Sequence, residues 1–335
     1  MDEKNSDEWL KNLPVQSENI GFQPQEMIRC AKCRRTNPPN RQNCFYCAAE
    51  LEISEEQSKF LRPNLRKLES WEQGFNVVIK PLTINLDRIK IVEAARVLKV
   101  ETEVLQKVIE AKKYLPIARA ETEKEAAIAQ NYLINFGIQS IVVSDENLNP
   151  EKPPRRLRGI EIFDDSLILI LFNQDEIVEI PRENLALMVT GAIYERRIEA
   201  TETRSKKDEN KMLGATEIAS DESLFDIYSR EDMTGWRVSA SGFDFSCLEN
   251  EKGILAKDNI VKIGEKLRQY APNAKIVDDY LRVRECLANF WEADQNTESH
   301  GIKRGGIGKF NLANVTTINN LSQFTRYSRL QRNLL

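Results

Sequence analysis

Four of the six cysteines in this chain fall in two pairs, Cys30-Ala31-Lys32-Cys33 and Cys44-Phe45-Tyr46-Cys47, with residues 34–43 between them. Thiolates in two C-x2-C knuckles supply the four corners of a closed tetrahedron, the arrangement of a structural Zn2+ site. Residues 28–50 are too few to bury a core of their own, so one bound zinc would supply most of their folding free energy. Two disulfides are the competing chemistry, but they need an oxidising compartment. A redox C-x2-C usually occurs once, ahead of a helix in a βαβ unit. The opening Met1-Asp2-Glu3-Lys4 is polar and acidic, with no apolar signal stretch, which gives a cytoplasmic expectation and favours metal over disulfides.

With Asn37 included, the motif reads C-x2-C-x3-N-x6-C-x2-C. In that form it resembles the Ran-binding-protein class of zinc fingers, and its Asn37-Pro38 step resembles small bacterial zinc ribbons. The first resemblance implies binding of single-stranded RNA or of ubiquitin. Two positions depart from it. Ile28 stands where RNA-binding members carry tryptophan, and Arg34-Arg35 stand where ubiquitin-binding members carry Thr-Phe. Arg34, Arg35 and Arg41 remain candidates for contact with phosphates or a partner. The alternative is a solvated basic loop on a structural finger.

Little else suggests reaction chemistry. The only histidine is His300, which argues against imidazole triads and histidine metal clusters. Asp164-Asp165 and Asp278-Asp279 are adjacent carboxylates that turn formation and helix capping account for. Gly308-Lys309 is followed by Phe310, so it is not a phosphate loop. Cys247 and Cys286 are expected to pack in the core. The expectation is a protein that is not an enzyme.

The 335 residues allow two or three domains, and charged residues make up 30% of them for a net charge of -4. Residues 1–27 are read as an acidic disordered arm around Trp9, and 51–73 as a linker broken by Pro63. Phe75–Lys80 reads as a strand, followed by helices carrying Ile89, Val92 and Val97 and then Leu105, Val108 and Ile109. Leu115–Ala118 is an edge strand, because Pro116 cannot donate to a ladder. Thr122 opens a third helix, Gly137 stops it, and Ile138–Val143 closes the segment. This β-α-α-β-α-β order, with the run Leu105–Gly137, looks like the C-terminal domain of the bacterial ribosomal stalk protein, whose broad fold the N-end-rule adaptor of the Clp protease shares. The resemblance implies a docking domain over 74–146 that catalyses nothing.

A Pro-rich linker is expected at 147–157. From 158 to 292 the pattern turns to short strands: a hairpin across Asp164-Asp165, another strand to Ile180, a run Leu185–Arg197 with a bulge at Gly191, an exposed loop over 201–222, and strands at 224–228, 236–240 and 243–248. Two helices follow, the second capped by Asp278 and running to Trp291. The fold class is α+β multidomain, with a small zinc finger, the β-α-α-β-α-β domain, and an antiparallel-sheet domain with C-terminal helices whose element order resembles a pleckstrin-homology sheet. Residues 293–335 read as a basic tail, flexible through its glycines. It ends in a short amphipathic helix with Arg326, Arg329 and Arg332 beside Leu321, Phe324, Tyr327 and Leu330.

These readings give a zinc-binding adaptor or regulatory protein that works through protein–protein contacts. The alternative is an RNA- or single-stranded-DNA-binding protein using the finger arginines and the basic tail. Contact of the tail with a membrane surface is a lesser reading, and no run is apolar enough for a transmembrane helix.

Overall fold

The computed structural model describes residues 21–54, 57, 60–83, 85–173, 176–205, 211–306 and 309–335, so most of the expected acidic arm lies outside the described residues. The chain divides into two compact units, Met1–Arg62 and Pro63–Leu335. In the first, β1 (Ile28–Arg29) and β2 (Thr36–Asn37) pair antiparallel. Ile28, Cys30, Cys44 and Leu51 form its small core.

The second unit starts inside the stretch read as a linker, because Leu65 and Leu68 are buried. Its first elements are β3 (Phe75–Ile79), α1 (Arg88–Leu98), α2 (Thr102–Glu110), β4 (Leu115–Ala120), α3 (Glu123–Ile134) and β5 (Ser140–Ser144), in the order that the periodicity gave. The strands form an antiparallel sheet of order β4-β3-β5. Pro116 lies on the edge strand, beside a register shift between Val77 and Val78. Thr122 caps α3 by accepting from the Glu125 N–H at 3.2 Å. Gly137, at φ 81°, turns the chain out of α3 in the left-handed region that a side chain would strain.

The remaining elements are α4 (Asp145–Leu148), β6 (Arg155–Ile162), β7 (Ser166–Leu171), β8 (Ile177–Pro181), β9 (Leu185–Ser205), β10 (Lys211–Ser229), β11 (Trp236–Ser239), α5 (Ala256–Tyr270), β12 (Lys275–Val277), α6 (Tyr280–Leu287), β13 (Asp294–Gly306), β14 (Lys309–Asn319) and α7 (Leu321–Asn333). A nine-stranded sheet runs β13-β14-β9-β10-β11-β6-β7-β8, and β12 also pairs with β9. β12 takes Leu187–Val189 of β9 and β14 takes Glu195–Ser205, so the two share one edge of that strand end to end. Alternation puts apolar side chains on both faces of the sheet. Leu187 and Val189 join Val77, Leu105, Leu133 and Trp291 in one core. Met188 joins Leu169, Trp236 and Ile263 of α5 in the other.

Several expectations are corrected. Residues 201–222 are not an exposed loop. The described part lies in β9 and β10, where the paired backbone supports strands although few large apolar side chains are present. Gly191 is no bulge, since it pairs in register with Leu224. It is small because the Phe324 ring lies against it, with an added Cβ falling 2.3 Å from Phe324 Cε2. Residues 245–251 form a 3-10 helix and not a strand, capped by the Asp244 carboxylate accepting from the Ser246 N–H at 3.0 Å. Asp279, not Asp278, occupies the N-cap of α6, which ends at Leu287, leaving Phe290 and Trp291 buried just beyond it.

The largest correction concerns the C-terminus. Residues 293–335 are not a flexible basic tail, because β13 and β14 form a hairpin that extends the large sheet. The middle of helix α7 is buried on every side, from Gln323 to Gln331. Several of its polar side chains find partners in the surrounding elements. The Gln323 Oε1 accepts from the Tyr280 hydroxyl at 2.8 Å, and its amide donates to the Trp291 carbonyl at 2.9 Å. Ser328 and Tyr228 hydroxyls meet at 2.8 Å. Arg237 on β11 donates to both carboxylate oxygens of Asp226 on β10, at 2.7 and 2.8 Å, and to Thr325 at 3.2 Å. Burial opposes the Arg237 charge, but Asp226 outweighs it and raises the arginine pKa.

Removing one member of a buried ion pair strands the other charge, whereas removing both does not. Asp226→Ala should therefore lower unfolding free energy by about 3–5 kcal/mol. The pair Asp226→Leu with Arg237→Met should lie much closer to wild type. Urea unfolding followed by circular dichroism decides this, and equal losses in both variants would contradict the account.

Candidate metal centre

Each half of the cysteine motif makes the same backbone turn. Arg34 N–H donates to the Cys30 carbonyl at 2.8 Å, and Ala48 N–H to that of Cys44 at 2.9 Å. The strand-side bond repeats too, Cys30 N–H to Arg35 carbonyl at 2.9 Å and Cys44 N–H to Ala49 carbonyl at 2.7 Å. Arg34 and Ala48, each one residue past a second cysteine, take left-handed φ values of 60° and 57°. The turns aim all four sulfurs inward.

The four Sγ atoms lie within 4.8 Å of one another. Cys30 and Cys47 are 3.7 Å apart and Cys33 and Cys44 are 3.5 Å apart, and all the cysteines are free. A tetrahedral ion bonded to sulfur at ~2.3 Å needs sulfurs about 3.8 Å apart, so the donor set and its size suit a metal ion. Asn37, wholly buried at 0% exposure, braces the site. Its amide donates to the Arg35 carbonyl at 3.0 Å and to Cys44 Sγ at 3.5 Å, and its Oδ1 accepts from the Phe45 N–H at 2.8 Å. This is the physical role of the residue in the middle slot.

The thiols do not share charge evenly. Burial opposes a thiolate at Cys44, but N–H groups of Tyr46 and Cys47, with Cys33 and Asn37, prevail and bring it down to about 6. At Cys33 the Arg35 N–H favours the thiolate, yet burial and the three other sulfurs push it up to about 12. Four close thiols cannot all deprotonate unless a cation sits among them.

The sequence's other candidates are placed as follows. Arg35 lies over the Tyr46 ring at 4.6 Å, and Arg41 over the Phe45 ring at 4.8 Å. Phe45 and Tyr46 are 67% and 52% exposed and pack edge to face at 5.5 Å. Arg34 instead offers its carbonyl to Arg29 Nε at 3.1 Å. Arg326 and Arg329 are buried in the second unit, so in this fold they are not a surface for phosphates. Arg329 donates to the carbonyls of Met233 and Lys152 at 2.8 and 3.0 Å, and Arg332 to that of Arg230 at 2.7 Å. Cys247 and Cys286 are half-buried at the edges of the two cores. Among the described residues no helix is long and apolar enough to cross a membrane.

Comparison of the chain with protein-family models, with curated proteins and with solved structures finds no match.

Metal removal by chelation should abolish the amide dispersion of residues 28–51, because so small a core cannot hold them. The near-ultraviolet signals of buried Trp236 and Trp291 report on the second unit separately. Asn37→Ala should weaken metal affinity about 10- to 100-fold, the usual loss when a group bonded to a ligand is removed. Competition with a chromophoric chelator measures this, and unchanged affinity would remove the bracing role given to Asn37.

Proposed function

We propose that this chain is a zinc-binding adaptor or regulatory protein that acts through protein–protein contacts and catalyses no reaction. Zinc is the metal best suited to four thiolates in a tetrahedron of this size. A centre whose every position is filled by protein leaves none open for substrate, so the ion is structural. The sulfur pairs at 3.7 and 3.5 Å and the backbone turns support this reading of the knuckles, while the resemblance to Ran-binding-protein fingers adds the expectation of a binding module.

One observation carries the binding role. The knuckle between Cys44 and Cys47 presents Phe45 and Tyr46 to solvent, with Arg41 and Arg35 stacked against them. Exposed aromatics cost solvation unless something covers them, and aromatic rings with arginine make up most energetic centres of protein interfaces. Residues 28–50 hold Arg29, Lys32, Arg34, Arg35 and Arg41 against the single acid Glu50, so the partner surface is acidic.

The same arrangement favours a second reading. Aromatic rings flanked by guanidinium groups are also a platform for unpaired bases, with the arginines reaching phosphates. A single variant, Phe45→Ala/Tyr46→Ala, separates the two. Zinc content by mass spectrometry should stay at the wild-type value, since neither ring is a ligand. Quantitative affinity purification from native extract should show an acidic protein whose recovery falls at least about tenfold with the variant, the loss expected when one or two interface centres are truncated. Fluorescence anisotropy with a labelled single-stranded RNA should show no binding that depends on these rings. RNA binding that is lost in the variant and falls with salt would replace the first reading by the second. Loss of zinc from the wild-type protein without change in either assay would sink both.

A further inference from the structure

The two sheets of the second unit end in four strand edges, and three of these are short or interrupted. β4 carries Pro116, which lacks the N–H that a new neighbour would need. β8 is five residues long and ends at Pro181. β5 is also five residues long. Short edges and prolines are the usual guards against pairing with a strand from outside. β13 is the exception, with thirteen residues and no proline. Among the described residues it pairs with β14 alone and ends the nine-stranded sheet.

Where β13 runs, the sheet has outgrown its two cores. Residues 295–299 of β13 and 214–220 of β10 are exposed throughout. Alternate residues of a strand point to opposite faces, so both faces of the sheet are bare here. Such a sheet draws its stability from its ladders, and the outer ladder of β13 is where a further strand can be added.

The charges of β13 decide which strand fits. Asp294 and Glu298 stand in its first half, and Lys303 and Arg304 in its second. A second copy of β13 laid antiparallel sets the acidic half of each strand against the basic half of the other, whereas a parallel copy in register would set like charges together. Glu298 pairs with Val315 of β14 and Lys303 with Asn311. Positions 311 and 315 are four apart, so 298 and 303 fall on one face of the sheet. The ladder slips by one residue between Ser299 and Ile302, where Gly301 has φ 99°. A two-fold axis at the His300–Gly301 step superposes the two slips and sets Glu298 opposite Lys303 of the second copy, twice per dimer. Glu298 is exposed, and it accepts only at 3.3 Å from the Asn296 amide of its own strand. We propose that two copies of this chain pair antiparallel through β13, forming one continuous sheet across a two-fold axis.

Sedimentation equilibrium of the full, metal-loaded chain over about 1–100 μM, a range suited to a modest interface, should show a monomer–dimer equilibrium. Glu298→Lys and Lys303→Glu each set like charges opposite one another at two pairs, and each should weaken the dimer at least about tenfold. Combining Glu298→Lys with Lys303→Glu restores opposite charges and should bring the dissociation constant back to within about threefold of wild type. Damage to β13 would not be repaired by a second substitution, so this exchange separates pairing from misfolding. A monomer at every concentration, which would leave the edge to a foreign strand, overturns the proposal. A dimer indifferent to the single changes, or an exchange that restores nothing, does the same.

Discussion

Everything in the second unit depends on the burial of a polar helix. α7 carries three arginines, two glutamines, a threonine and two serines in thirteen residues, and yet its middle nine residues lose contact with water. Burying such groups is costly unless donors or acceptors from elsewhere in the chain meet them, and most of these side chains are met at one atom at least. Those partners come from β10, β11, α6 and the segments before and after them, so the helix can be housed only once the sheet and the other helices have formed. Asn320, just before the helix, adds to this by accepting from the Tyr194 N–H at 2.9 Å and donating to the Tyr280 hydroxyl at 2.8 Å. A core stitched in this way specifies one register for the helix, because a rotation would break several bonds together.

The two units meet the entropy cost of folding by different means. The first has a core of a few side chains beside four cysteines so placed that they could hold a metal ion. The second has two apolar cores on opposite faces of a sheet, and its hydrophobic burial is ample.

Three arginines show how partnering decides the meaning of a buried charge. Arg237 has a bidentate carboxylate, and Arg329 has two carbonyls. Both are tied to the fold by these bonds, although Arg329 Nε is buried without an acceptor. Arg326, three positions before Arg329 on the same helix, has neither and is held only by the Asp145 carboxylate at 3.9 Å. The residue type and the helix are the same, so the difference lies wholly in what the neighbouring elements bring.

The sequence by itself determined the features that local chemistry controls. The cysteine spacing located the cluster that could hold a metal ion, since a C-x2-C turn brings two sulfurs together with no help from distant residues. Apolar periodicity, Pro116, Thr122 and Gly137 placed the elements of 75–144, because edge position, capping and left-handed turns are set within a few residues. What only the tertiary structure decided involves residues far apart in the chain. Period-three apolar residues beside arginines describe a surface helix and a buried one equally well until the partners of the arginines are known, and those partners lie about 90 to 180 residues away. Strands in 201–222 and 294–319 could not be read from the sequence, which shows little hydrophobic alternation there; their pairing is with strands distant in the chain or across a hairpin. Gly191 signalled an irregularity, but only Phe324 explains it. A cavity walled by segments around 65, 98, 118, 290 and 326 left no trace in the sequence, since only the fold assembles it.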